Sequence, residues 1–144
     1  MDPDDGSQPN PPKPPELVAV GSHAEALFNI LREVFDVPNP YPLDLTAPIL
    51  SEDILFSPVG RAALIMRKLQ ALAYIAKATT SRPSDEVLTL LSEVGRFLRL
   101  AQAGVERDAL ARHPMETHLE AVNQATHAVI AAIGEAGGDV LFFD

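Results

Sequence analysis

Four polar residues in the last third of the chain share one face of a predicted helix and are the best candidates for metal or acid–base chemistry. They are Glu116, Glu120, Asn123 and His127, spaced by three or four residues. Two carboxylates and an imidazole are ligands that divalent metals accept in proteins. No partner elsewhere in the sequence converges with them, so we interpret the set as a solvated helix face and predict no metal site.

The serines and glycines give no sign of a nucleophile or of a phosphate-binding loop. Ser22, Ser57 and Ser84 stand where helices are predicted to begin, which makes each of them a capping residue. The histidines include no Glu-x-x-His unit of the kind that holds di-iron centres. None of the glycine-rich catalytic or nucleotide-binding motifs occurs. We therefore predict no enzymatic activity, no cofactor and no small-molecule substrate.

The basic residues are concentrated in one block of an acidic chain. Residues 57–82 contain five bases and no acid, whereas the whole chain has a net charge of −9. Cations placed in this way can contact phosphates. The candidate nucleic-acid residues on helices two and three are Arg61, Arg67, Lys68, Arg96 and Arg99. The alternative, which we favour, is that these cations pair with acids of this chain or of a neighbour, because acids are plentiful.

Capping signals and apolar periodicity predict four helices, which would position all of these side chains. The Ser22–Glu25 capping box starts the first helix, Ser57-Pro58 the second and Ser84 the third. A Gly pair follows the fourth and indicates its C-cap. The predicted helices cover about residues 23–36, 58–79, 85–112 and 114–134.

Short links between the last three helices are typical of an antiparallel four-helix bundle, so the predicted fold class is all-α. An extended Pro-rich arm is expected over 1–16, because its composition suits a polyproline conformation and cannot form a core. The bundle then covers 17–136 and includes an irregular, apolar segment at 37–56. Residues 137–144 are left as a short apolar tail.

Two sets of apolar residues are predicted to bind a partner. The second helix is apolar on both sides, and Leu64, Tyr74 and Ile75 lie away from its main core stripe. The tail contributes Val140, Leu141, Phe142 and Phe143, which follow a Gly pair and cannot continue the last helix. The tail can pack beside 54–56 of its own chain or in a groove of a neighbour. We favour the neighbour, because four helices already close the core.

These features favour a non-enzymatic assembly subunit of the coat, scaffold or adaptor type, whose expected partners are proteins, copies of itself above all. One alternative is a helical coat protein that contacts nucleic acid through the basic block. Another is a monomeric regulator or chaperone with one protein partner. No apolar run reaches the ~18 residues of a membrane span. The expected location is the cytoplasm, a virion or another intracellular assembly.

Overall fold

The computed structural model describes residues 14–35, 58–112 and 116–140, and these residues are all-α without a strand. The helices found there are α1 (Pro15–Val34), α2 (Pro58–Ala78), α3 (Asp85–Arg112) and α4 (Glu116–Glu135). Three predicted segments lie wholly or partly outside the described residues: the arm as far as residue 13, the irregular segment at 37–56, and the tail at 141–144. None of the described helices combines the length and apolar character that crossing a membrane requires.

Helix α1 begins at Pro15, eight residues before the predicted start, so that expectation is wrong and Ser22 is an interior residue instead of a cap. Proline is favoured at the first helical position, and Glu16 in the first turn suits the helix dipole. The buried stripe of α1 is Leu17, Val20, Ala24, Leu27, Leu31 and Val34. Its steps of three and four residues already include Leu17 and Val20, so burial of these side chains extends the helix past the local capping signal.

The other helices lie close to the predicted ranges. Helix α3 occupies Asp85–Arg112, where the sequence predicts 85–112, and α2 ends one residue before the predicted 79. The predicted cap of α3 is confirmed, because Ser84 Oγ accepts the Val87 N–H at 3.2 Å. This local agreement reflects signals that depend only on neighbouring residues.

The helices share one hydrophobic core. Helix α1 packs against α2 and α4, and α3 packs against the same two helices, so each helix has two principal neighbours. The largest fully buried side chains come from all of them: Phe35, Leu27, Leu69, Leu98 and Ile133 are among them. Each such side chain contributes roughly 1.5–3 kcal/mol by leaving water. Helices α1 and α2 approach closely at Gly21, where a Cβ would lie 3.4 Å from the Cβ of Ala76.

Candidate protein-binding surfaces

The cations of α2 have partners within the chain. Arg61 forms a bidentate pair with Asp108 of α3, with both N–O distances at 2.8 Å. The hydrogen bond from Arg61 to Asp108 raises the pKa of Arg61 above its usual value. Lys68 Nζ lies 5.6 Å from the centroid of the Phe97 ring, within cation–π range. Arg67 is half-exposed. The Arg61 pair matches the favoured alternative of pairing with an acid of this chain, whereas Lys68 meets an aromatic ring. Both contacts join α2 to α3.

Helix α4 ends in a Schellman turn that reverses the chain. The Gly138 N–H donates to the Ile133 carbonyl at 2.9 Å, and the Gly137 N–H donates to the Gly134 carbonyl at 3.1 Å. Gly137 has a φ of 106°, which L-residues with a side chain rarely adopt. The predicted C-cap is thus confirmed, and the turn directs the following residues back towards α3.

Residues 138–140, which we call the post-α4 segment, are held by polar side chains of α3. The Asp139 N–H donates to Ser92 Oγ at 2.7 Å, and Arg96 Nη1 donates to the Asp139 carbonyl at 2.7 Å. Arg99 Nη1 donates to the Val140 carbonyl at 3.2 Å. Two of the cations that the sequence nominated for nucleic acid therefore bind the backbone of their own chain. Ser92 had no sequence signal other than being a polar residue beside the apolar seam of α3.

The side chain of Val140 packs between α3 and α4 of its own chain. A Cβ at Gly95 would lie 2.5 Å from Val140 Cγ1, and a Cβ at Gly134 would lie 3.6 Å from Val140 Cγ2. Val140 is half-buried against the hydrophobic core. The sequence favoured a neighbouring chain for this part of the tail, and for Val140 that expectation is wrong. The absence of a side chain at Gly95 makes the close approach possible, which composition alone does not reveal.

A polar cluster joins α3 to α4 beside this segment. Glu106 Oε2 accepts hydrogen bonds from the side-chain amides of Gln102 and Asn123, both at 2.8 Å. Gln102 Nε2 also lies 3.0 Å from His127 Nε2. Because an amide nitrogen only donates, this contact is a hydrogen bond in the tautomer that leaves His127 Nε2 without a proton. The set was expected to be a solvated face. Glu120 and His127 are exposed, in line with that expectation, but Asn123 and His127 also contact side chains of α3.

This cluster does not form a metal site in the residues that the structure describes, where no three His, Asp or Glu side chains converge. The side chain of Glu116, the first member of the predicted face, lies outside the described residues. Gln102 and Glu106 were not among the sequence candidates. Their spacing of four residues on the flank of α3 was the available signal. The role that the distances support is to fix α3 against α4.

A groove of about 410 Å³ lies between α3 and α4, immediately beyond Val140. Its lining includes Arg99, Gln102, His127, Ile130, Ala131 and Val140. The polar cluster lies at the far end and the post-α4 segment at the near end. We call it the α3–α4 groove.

A second surface, the α1–α2 groove, consists of two adjoining hollows of about 270 and 220 Å³ that share Glu25 and Ala73. The residues that line it include Val18, Gly21, Glu25, Phe28, Ala73 and Lys77. Val18 is 50% exposed. Tyr74 follows Ala73 along α2 and is 65% exposed.

The three α2 residues predicted to bind a partner have different surroundings. Tyr74 is exposed, whereas Leu64 and Ile75 are half-buried, and Ile75 packs against the hydrophobic core. The structure therefore places only Tyr74 of this set fully towards solvent. The α1–α2 groove was not foreseen, because part of its α1 half comes from residues 17–22, which the sequence placed before the first predicted helix.

Comparison of the chain with protein-family models, with curated proteins and with solved structures finds no match. Function is therefore inferred from the side chains described above. The described residues form an all-α fold, with one groove between α3 and α4 that Val140 helps to line and another between α1 and α2.

Proposed function

We propose that this protein is a non-enzymatic interaction subunit of the scaffold, coat or adaptor type, which binds another protein chain at the α1–α2 groove. A second copy of the same chain is the first partner to test. The observation that carries the proposal is the exposure of the apolar side chains of Tyr74 and Val18 at the α1–α2 seam that forms this groove. Aromatic side chains next to well-defined hollows are enriched at the centres of protein interfaces.

The shape of the groove fits a helix or an extended apolar segment. Gly21, Ala24 and Ala73 lie along it, and such small side chains allow a partner backbone to approach closely. Val18 and Tyr74 supply apolar area at its edges. An amphipathic helix that lays its apolar side in a hydrophobic groove is a recurrent mode of recognition.

The proposal includes an antiparallel arrangement of neighbouring helices. Its support is the order of the cross-helix contacts: Glu106 meets Asn123, while the earlier Gln102 meets the later His127. A hollow of about 400 Å³ is lined by residues from the start of α1, the start of α3 and the end of α4. These three helix ends therefore lie together, as alternating directions require.

Light scattering of the full chain over a concentration series tests the proposal. We expect a species larger than 15.5 kDa that grows with concentration. Tyr74→Ser and Val18→Ser should each weaken it, because each removes apolar area at the groove. Leu100→Ser is the matched control, since Leu100 is 75% exposed on α3 and takes no part in the α1–α2 groove.

A single 15.5 kDa species at every concentration would contradict self-association and would favour the monomeric regulator. Equal weakening by Leu100→Ser and Tyr74→Ser would remove the α1–α2 groove from the proposal. The nucleic-acid alternative remains a prediction. Its support is weaker than the sequence suggested, because Arg61, Arg96 and Arg99 each have a partner within the chain. A cytoplasmic location, or one inside an intracellular assembly, belongs to the same proposal.

A further inference from the structure

We propose that the α1–α2 seam joins two copies of this chain in a two-fold symmetric contact, in which Glu25 of each copy pairs with Lys77 of the other. This contact rests on the proposed function and deepens it, because it commits to a second copy as the partner and names the side chains that fix its orientation. Its support is the exposure of side chains along the seam, the charge of the seam and the rules of a closed dimer.

Each helix of the seam presents a stripe of exposed side chains. Residues three or four apart lie on one side of a helix. Tyr74 therefore lies on the same side of α2 as Gln70 and Lys77, both of which line the groove. The exposed members of the two stripes are Val18, Ser22 and Glu25 on α1, and Gln70, Tyr74 and Lys77 on α2. Together they form one solvent-accessible surface that follows the seam.

The charge of the seam favours a second copy over a strongly charged partner. The residues that line the two hollows include one acid, Glu25 of α1, and one base, Lys77 of α2. The lining therefore has no net charge, although the chain has a net charge of −9. Copies of an acidic protein repel one another, and a neutral surface is where two copies approach with the least repulsion. A strongly acidic or basic partner would need an excess of one charge, which this seam does not provide.

Two-fold symmetry makes this acid and this base complementary to themselves. Both copies use the same surface in such a contact, so a pairing of one residue with another occurs twice. Glu25 and Lys77 belong to different helices but line the same hollow of about 270 Å³, so a copy that covers this hollow covers both. The Lys77 ammonium has three N–H donors and can bind a carboxylate of the second copy in addition to a contact in its own chain.

The apolar side chains supply most of the affinity, and the charges select the orientation. Exposed ion pairs contribute little to binding, whereas like charges placed opposite one another are strongly unfavourable. Tyr74 and Val18 therefore remain the main contributors. Reversal of one charge should have a much larger effect than the loss of one ion pair.

Charge reversal in the full chain, followed by sedimentation over a concentration series, tests the pairing. Glu25→Lys and Lys77→Glu are studied separately, combined in one chain, and as a mixture of the two single variants. The matched controls are Glu93→Lys and Arg107→Glu, which make the same changes of net charge at exposed positions of α3. Lysine and glutamate both favour helices, and circular dichroism checks that each variant keeps its helix content.

We expect each single reversal to raise the dissociation constant of the dimer by about tenfold or more relative to its control, because like charges then meet twice. The doubly reversed chain should regain nearly natural affinity, and so should the mixture of single variants. In both cases each lysine again meets a glutamate of the other copy. The largest species should contain two chains, because a two-fold contact is closed.

Three results would overturn this two-fold contact. Single reversals that behave like their controls, while Tyr74→Ser still weakens association, would remove the Glu25–Lys77 pairing and leave the α1–α2 groove as the binding surface. A mixture that does not associate, or species that grow beyond two chains, would exclude the symmetry. A natural chain that stays at 15.5 kDa at every concentration would contradict both this contact and self-association through the groove.

Discussion

Glycines of α3 and of the turn after α4 differ in what surrounds their missing side chains. At Gly95 an added Cβ would meet Val140 at 2.5 Å, whereas at Gly104 the nearest atom is Arg107 Nη2 at 3.8 Å. At Gly137 the obstacle is the backbone, which has a φ of 106°. The same chemical change at these positions therefore has three different expected results.

Substitution of each glycine by alanine gives a direct prediction for chemical unfolding. Gly104→Ala should increase the free energy of unfolding by roughly 0.5–1 kcal/mol, since alanine favours the helix and space is available. Gly137→Ala should lower it by about 1 kcal/mol through left-handed backbone strain. Gly95→Ala should also lower it, because Val140 must move. Equal effects at Gly95 and Gly104 would contradict the packing of Val140 on α3.

Of the two glycines on α3, only Gly95 is a point of close packing. Periodicity shows that a glycine lies on a helix but does not show what lies opposite. Val140 reaches Gly95 because the Schellman turn reverses the chain and Ser92 fixes the next amide. The contacts of Val140 with Gly95 and of Asp139 with Ser92 join residues more than forty positions apart, so no local pattern contains them.

At the scale of the helices, the Arg61–Asp108 pair is the clearest link between α2 and α3. Asp108 is 12% exposed and Arg61 is 39% exposed, so solvent screens the pair in part. A double-mutant cycle with Arg61→Gln and Asp108→Asn should give a coupling of about 1 kcal/mol. The measurement is urea unfolding, with Glu93→Gln on the exposed surface of α3 as an acid-to-amide control. A coupling near zero would contradict a structural role for the pair.

The direction of the pKa shift of Arg61 determines how the stability contributed by the Arg61–Asp108 pair depends on pH. A base whose pKa is raised in the folded state stabilises the fold below its unfolded pKa and loses that contribution as pH rises through the folded value. The usual pKa of Arg61 already lies in strongly alkaline solution, and Asp108 raises it further. Deprotonation of Arg61 therefore does not weaken the link near neutral pH.

The first residues of helices could be predicted where the capping signals and the apolar spacing pointed to the same position. Pro58 and Ser84 mark starts that the structure also has at α2 and α3. The start of α1 was placed too late, because a capping box at Ser22 was given more weight than the apolar spacing of Leu17 and Val20. The pairing of Asp108 with Arg61 could not be predicted from local signals, because it depends on how α2 and α3 pack.

For the whole molecule, the net charge of −9 determines how association should respond to salt. Copies of an acidic protein repel one another, and added salt screens that repulsion. We expect association through the apolar α1–α2 groove to strengthen between low and moderate salt. Sedimentation at several salt concentrations checks this, with Tyr74→Ser as the control. Self-association that weakens steeply with salt would contradict an apolar contact and would indicate ion pairs between copies.

The all-α class could be predicted from composition and periodicity, but the surfaces could not. Each groove is formed by residues of two helices, and which helices are neighbours is a property of the complete fold. Tyr74 was identified because it lies off the core stripe of α2, a local property. Val18 and Gln102 were missed because their importance comes from the helix that each of them faces.

The hydrogen bond from the Asp139 N–H to Ser92 Oγ has a consequence for hydrogen exchange. Ser92 Oγ accepts this N–H at 2.7 Å and also donates its own proton to the Leu88 carbonyl at 2.6 Å. The amide can reach solvent catalysts only when the segment lifts away from α3, a local opening that does not require α3 to unfold. The exchange rate of this one backbone proton, compared with those of the α3 interior, therefore measures how often the segment leaves its place.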